Sequence, residues 1–302
     1  MTLVIGSIQL GLLYALMSIG LYITFRILDI SDLTVEGSFT LGMAVAVVFT
    51  ANSHPFAAMI MAAIAGALAG TVTGILHTKI GIHPILAGIL VMTSLYTVNL
   101  AIMGGKSNIS IVGKPTLFSM AENLVKTDWG LGKTLVGLIF CILVIIIFAV
   151  LFKTRLGFAI RATGDNEDMV RASSVNADFI KCLGLALGNA CVALSGALIC
   201  QYQLFCDVTS GIGIVVIGLA SVIIGETLIG KHSVTIGLIS VTIGSVIYRI
   251  IIAFAFKFNL FPSYALKLIS AIIVTIALSL PAIKLNIQKA KARREIKNNV
   301  DS

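Results

Sequence analysis

Residues 153–181 read KTRLGFAIRATGDNEDMVRASSVNADFIK, and they set Lys153, Arg155, Arg161, Arg171 and Lys181 against Asp165, Glu167, Asp168 and Asp178. On either side lie runs of Leu, Ile, Val, Ala and Gly too apolar to be loops in water. A charged island between such blocks belongs at a membrane face. Its local pattern is that of a short helix. Either Asp165 or Asn166 is a suitable N-cap, because each side chain can bond the free N–H groups of a first turn. Glu167 and Asp168 favour the positive end of the helix dipole. Glu167 meets Arg171 at i+4, a pair worth about 0.2–0.5 kcal/mol. Met169, Val170 and Ala172 supply an apolar surface, and Asn176 is placed to cap the helix that re-enters the membrane. The pattern is that of a helix built to touch another protein. The plainer alternative is a solvated loop with chance charges.

Working outward, the composition agrees. The chain has 302 residues, 58% hydrophobic and 11% charged, whereas a soluble domain is about a quarter charged. Nine hydrophobic segments fall at roughly 3–25, 37–51, 55–77, 84–103, 134–152, 182–203, 211–229, 233–253 and 264–282. Several approach the ~20 apolar residues that span a bilayer as a helix. They are long blocks and not ten-residue alternations, which excludes a β-barrel. The expected fold is an all-α integral membrane protein. It is a polytopic bundle of about nine spanning or partly re-entrant helices. One transmembrane domain covers 1–283, with the island at 153–181 and a long loop at 104–133, and a basic tail follows at 284–302. Residues 1–25 lack a positive n-region and a small-x-small cleavage site, so they read as a first spanning helix and not a signal peptide.

The net charge is +8, and the basic residues gather in the island and in the tail after Pro281. Basic clusters of this kind mark cytoplasmic faces; they are not a nucleic-acid signal. Four hydrophobic segments separate the two clusters, so both lie on one side. Counting back puts Lys79 and Arg26 inside, and the 104–133 loop and the N-terminus outside. The outer loop nonetheless carries Lys106, Lys114, Lys126 and Lys133. Within it, Leu117, Phe118, Ala121, Leu124 and Val125 fall on one helical face, with Ser119, Glu122, Asn123 and Lys126 on the other. That predicts an amphipathic helix on the outer surface, with Trp129 at headgroup level. Small residues recur every fourth position at Ser7, Gly11 and Ala15, and again at Ala58, Ala62, Gly66, Gly70 and Gly74. Such stripes let helix backbones approach closely, either within the bundle or across a dimer.

Several chemistries are excluded. Gly105-Lys106-Ser107 and Gly132-Lys133-Thr134 carry only the end of a phosphate-binding loop, with Leu100 and Thr127 where the leading glycine belongs. There is no HExxH, and Ser195-Gly196 lacks the preceding glycine of an intramembrane serine protease. His54, His77, His83 and His232 lie at segment ends. The five cysteines, Cys141, Cys182, Cys191, Cys200 and Cys206, form no CxxC and read as free and buried. No catalytic or metal site is expected. The informative residues are charges in or beside apolar runs, since a charge at the bilayer centre costs roughly 2.5–3.5 kcal/mol on insertion scales. Asp29, Asp32 and Glu36 sit in LDISDLTVEGSFTLG. This segment is either a simple cytoplasmic turn or a broken helix entering the membrane. Glu226 belongs near the inner end of its segment and Arg249 near the outer end of the next, so Arg26 is the better partner for Glu226. Gly211, Gly213 and Gly218 loosen the start of the 211–229 segment, as in a half-helix.

Three stretches also carry a family resemblance. Asp32-Leu33-Thr34-Val35-Glu36-Gly37-Ser38 resembles the D-L-S-V-G-S stretch of ribose-type ABC importer permeases, with Glu36 as an extra residue. TRLGFAIRATGDNEDMVRASSVN resembles their cytoplasmic coupling loop. GLASVIIGETLIGK, residues 218–231, resembles the glycine-rich late segment of the same superfamily, which includes branched-chain amino-acid permeases; Glu226 and Lys231 stand where glycines are common. With Tyr248-Arg249 and Leu266-Lys267-Leu268, the chain is most similar to a branch labelled as aromatic amino-acid importers. The resemblance implies a bacterial cell-membrane importer subunit. Its partners would be a cytoplasmic ABC ATPase, an extracytoplasmic substrate-binding protein, a second permease copy and the surrounding lipid. ATP and Mg would sit on the ATPase, with no cofactor in this chain. It implies ATPase coupling through Thr163, Gly164, Asp165, Asn166, Glu167, Asp168, Met169, Arg171 and Val175. Ser174 stands where that loop often has glycine. Asp32, Glu36, Ser38 and Glu226 are the pathway or gate candidates. An ion-coupled secondary transporter, with Asp32, Glu36 and Glu226 as ion sites, is the alternative; a non-transporting scaffold is the other.

Overall fold

The computed structural model describes residues 2–125, 130–230 and 233–257, together with 271, 272, 275 and 279. Lys126, Trp129, Lys231, His232, most of the 264–282 segment and the 284–302 tail lie outside the described residues.

Helix α1 (Thr2–Leu21) runs on through a π-helical turn (Tyr22–Ile27). Helices α2 (Thr34–Ala51), α3 (Pro55–Thr78), α4 (Pro84–Ile102), α5 (Leu117–Val125) and α6 (Leu131–Leu151) follow. The island folds as α7 (Arg155–Asp165) and α8 (Glu167–Ala172), and α9 (Ala177–Gln203), α10 (Ile214–Ile229) and α11 (Val234–Lys257) complete the order. Pro55 and Pro84 open α3 and α4, where a missing N–H costs nothing and the fixed φ suits a helix. Among the described residues, seven helices are long and apolar enough to cross a membrane, and α10 is a shorter apolar helix of 16 residues. The all-α membrane fold follows from these.

Helix α9 is the centre of the bundle, packed by α1, α2 and α3. The α3 stripe is spent here. A Cβ on Gly66 would stand 2.4 Å from the Asn189 carbonyl oxygen, and one on Gly70 2.3 Å from that of Leu185. Gly11 likewise seats on the Val246 backbone, and Ser245 Oγ donates to Gly11 O at 2.8 Å. Both small-residue stripes therefore serve packing inside one chain. The five cysteines are free.

Two short strands, β1 (Asn108–Ser110) and β2 (Phe205–Asp207), pair antiparallel with Ile109 opposite Cys206. The loop before α5 and the connection after α9 therefore share one face of the bundle, opposite the island, as counting of crossings requires. On that face α5 buries Leu117 and Phe118 as its pattern predicts. Leu124, placed on the same apolar face, is instead 84% exposed. The first turn of α5 is held by the Gln201 Oε1 that accepts from Leu117 N at 2.9 Å, and its later part lies against α6, where Glu122 pairs with Lys133 at 3.2 Å.

Candidate functional site: the broken helices and the island

Between the π-turn and α2 the chain is irregular, and Asp29 takes a left-handed φ of +53°. Asp32 is fully buried. Its Oδ1 accepts from Thr34 N at 2.8 Å, and its Oδ2 accepts from Asn189 Nδ2 at 2.6 Å. Asn189 lies a dozen residues into α9, roughly 18 Å from that helix's start at 1.5 Å per residue. The segment thus enters the bundle as a broken helix and is not a surface turn. Thr34 and Thr73 hydroxyls meet at 2.6 Å beside it. A carboxylate is tolerable at this depth because charge-assisted bonds replace its hydration.

The start of α10 is tied to the same element. Gly213 N donates to Glu36 Oε1 at 2.9 Å, and Gly211 N donates to Thr40 Oγ1 at 3.1 Å. Gly213 has φ +84°, and Gly211 is so close that a Cβ would stand 2.0 Å from Glu36 O. These two positions need glycine, and they make α10 a half-helix that begins inside the bundle. Ser38 is buried, and its hydroxyl has no hydrogen-bond partner among the described residues. Asp32 thus ties the segment before α2 to α9, and Glu36 ties the start of α2 to that of α10.

Glu226 sits at the far end of α10 and pairs with Arg26 Nε at 2.7 Å, side chains 13% and 44% exposed. This is the partner its position predicts. Arg249 is elsewhere, its guanidinium 3.5 Å above the Tyr14 ring. The Arg26–Glu226 pair borders a cavity of about 390 Å³, lined also by Tyr22, Arg161, Asp165 and Ser233. Helix α7 thus supplies part of the wall at which the π-turn and α10 end.

In the island, Thr154 Oγ1 accepts from Gly157 N to start α7. Asn166 is the N-cap of α8: its Oδ1 accepts from Met169 N at 3.0 Å, while its own N–H donates to Ala162 O at 2.9 Å and closes α7. Asp165 belongs to α7 and faces the cavity. Ser174 has φ +61°, the left-handed region where a side chain costs about 1–2 kcal/mol; that is the physical reason glycine suits the position. Asn176 caps α9 by accepting from Phe179 N at 3.1 Å. Arg171 reaches both Glu167 at 2.8 Å and Asp178 at 2.6 Å, and Lys181 reaches Glu167 at 2.5 Å. This clasp fixes α8 on the start of α9.

The clasp also sorts the island's residues. Asp168, Met169, Arg171, Ala172 and Val175 are exposed, Met169 by 55%. Val170, expected on the apolar surface, instead packs inward. Thr163 is buried and donates to Ala159 O. Gly164 seats on the π-turn, where a Cβ would stand 2.0 Å from Ile27 O. Thr163 and Gly164 therefore face the bundle and hold α7 to it, while the free face belongs to α8.

The Lys181 ammonium, with Arg171 beside it, holds the Glu167 carboxyl below its ordinary 4.5. A carboxylate with a depressed folded pKa stabilises the clasp above its unfolded pKa, and the stabilisation is lost as pH falls through the folded value. Amide protection of residues 166–175 is therefore expected to be constant near neutrality and to drop below about pH 4.5, as read by hydrogen exchange corrected for intrinsic rates. Glu167→Gln should show the low protection throughout. A protection profile independent of pH in the native chain would contradict the clasp.

Comparison with known proteins places this geometry. Residues 3–278 match the family described as branched-chain amino acid transport system, permease component. The chain is 37% identical over 291 residues to a tyrosine transport system permease protein of Clostridioides difficile, covering 96% of this chain and 95% of that one. It is 35% identical to an uncharacterized protein of Rickettsia prowazekii, over 76% of this chain and 78% of that one. The ribose import permease protein of Escherichia coli is 27% identical over 70% of this chain and 65% of its own length. No solved structure matches. A bundle of broken helices that matches one family model over nearly its whole length leaves a plain conclusion: the chain belongs to the family of branched-chain amino acid transport system permease components, membrane-embedded parts of systems that move small solutes.

Proposed function

We propose that the chain is the permease subunit of an ATP-binding-cassette importer that carries an amino acid, with an aromatic one as the lead, into a bacterial cell. The tyrosine transport permease among its relatives supports the substrate class. The observation that carries the mechanism is the island: α8 presents Met169 and Val175 outward while α7 is seated on the π-turn beside the Arg26–Glu226 pair. A cytoplasmic ATPase would hold ATP and Mg and receive α8 in a groove. Closure of two such ATPases would push α8, and α7 would carry the push to the inner ends of α1 and α10. Alternating access then tilts the broken helices from outward-open to inward-open. An external binding protein delivers the substrate to the opposite face, and a second permease copy completes the assembly. In this orientation the island and the C-terminus are cytoplasmic and the N-terminus is outside.

Replacing residues 165–175 by a Gly/Ser linker tests the reading. Uptake of labelled L-tyrosine should fall to background while the chain still reaches the membrane. The triple variant Glu167→Ala, Met169→Ala, Arg171→Ala should lose a co-purifying ATPase. Unchanged uptake with the linker would overturn the proposal. Uptake that collapses with a protonophore while ATP stays high would favour the ion-coupled alternative.

A further inference from the structure

We propose that a second cavity, on the side of the β1–β2 ribbon, binds the ammonium group and apolar body of the transported molecule, with Glu36 and Asn99 as the ammonium's acceptors and Tyr96 and Met92 against its side chain. The choice of an amino acid as occupant rests on the permease reading above; the chemistry rests on the cavity. It measures about 330 Å³ and opens between the start of α2, the second half of α4 and the segment that leads from β2 to α10.

The walls are rich in acceptors. Asn99 is only 1% exposed. Its Nδ2 reaches Gly37 O at 3.4 Å, and its Oδ1 has no hydrogen-bond partner among the described residues. A buried acceptor left without a donor is costly and calls for an explanation. Glu36 also lines the cavity, and a carboxylate has about four acceptor sites, so it can take several donors at once, Gly213 N among them. The Thr93 hydroxyl donates to Ile89 O and Leu90 O, so what it has left to offer is an acceptor. Among the described residues, no Lys, Arg or His lines the space. The polar complement of such a wall is a cation with several N–H donors; for an anion it offers the neutral Tyr96 hydroxyl and Asn99 amide beside a carboxylate.

The rest of the wall is apolar. Tyr96 offers an aromatic ring that is half exposed, and Met92 a thioether that adapts to irregular shapes. An ammonium on an aromatic or aliphatic body matches both parts, and the ring adds attraction for the cation itself. The position is mechanically apt. An ammonium at Glu36 would share the carboxylate that ties α10 to α2, at the meeting point of the two broken elements.

The test is equilibrium binding of labelled L-tyrosine to the full-length chain in nanodiscs, with two competitors. Tyramine keeps the ammonium and lacks the carboxylate; 3-(4-hydroxyphenyl)propionate keeps the carboxylate and lacks the ammonium. Tyramine should compete within about threefold of L-tyrosine, and the propionate at least about tenfold more weakly, because a site built around a hydrogen-bonding group rejects the analogue without it. Glu36→Gln should weaken L-tyrosine by about tenfold. Tyr96→Ala, at an exposed position that folding does not need, should weaken it too. Equal competition by the propionate, unchanged affinity in Tyr96→Ala, or no binding of L-tyrosine to the wild-type chain would each overturn the cavity proposal. None of these would touch the permease reading, which stands or falls with ATP-driven uptake and the linker variant.

Discussion

Asn189→Leu is expected to destabilise the chain by about 3 kcal/mol, because it strips a hydrogen bond from a buried carboxylate and leaves an oxygen of Asp32 unpaired. Leucine is close to asparagine in size, so the loss is chemical and not a cavity. Asp32 Oδ1 keeps Thr34 N, but Oδ2 loses the Asn189 amide that donates to it at 2.6 Å. The thermal midpoint of the detergent-solubilised chain should fall clearly. Asp32→Asn combined with Asn189→Leu should cost less than the two single changes added together, since the charge that needed the amide is gone. A wild-type midpoint for Asn189→Leu would mean that the broken helix is held by packing alone.

The second large effect is on transport and not on stability. Arg26→Glu places a carboxylate against Glu226, where a guanidinium now sits at 2.7 Å. A half-exposed ion pair contributes only about 0–1 kcal/mol to stability, so the folded chain should survive. The π-turn and the end of α10 would then repel, and substrate uptake should drop by about tenfold. The exchange Arg26→Glu with Glu226→Arg restores the attraction and should recover most of the activity, as a coupled pair requires. Transport that stays lost in the exchanged chain would assign Arg26 a role through Arg161 and Asp165 in the same cavity wall, and not through Glu226.

What the sequence made legible follows the physics of each signal. Spans with a proline start, such as α3 and α4, fall within a residue of their expected limits, because apolar content and a fixed N1 position are local properties. The caps at Asn166 and Asn176 and the Glu167–Arg171 pair were legible for the same reason. So was Arg26 with Glu226, which only needed depths to be counted. Helix α9 starts at Ala177, earlier than its apolar run, since its first turn carries Asp178 and Lys181 outside the membrane. The π-turn and the three-residue strands leave no periodic trace. Asn189 was missed although an amide within GLALGNACVALSG is itself a signal; its partner lies 157 residues away, and only the fold brings them together. Tyr96 and Asn99 were hidden inside a segment that hydropathy reads as uniform.

The β1–β2 ribbon has a consequence for biogenesis. Asn108 pairs with Asp207, so the strand that precedes α5 has no mate until all of α9 has been synthesised and inserted. At about 5–20 residues per second that wait is on the order of ten seconds, during which a strand edge stands open at the surface of a half-built protein. Four spans, α1 to α4, precede that strand, and α6 and α9 are added before it pairs. The ribbon can close only once β2 emerges behind α9, and α10 and α11 still follow it in the chain.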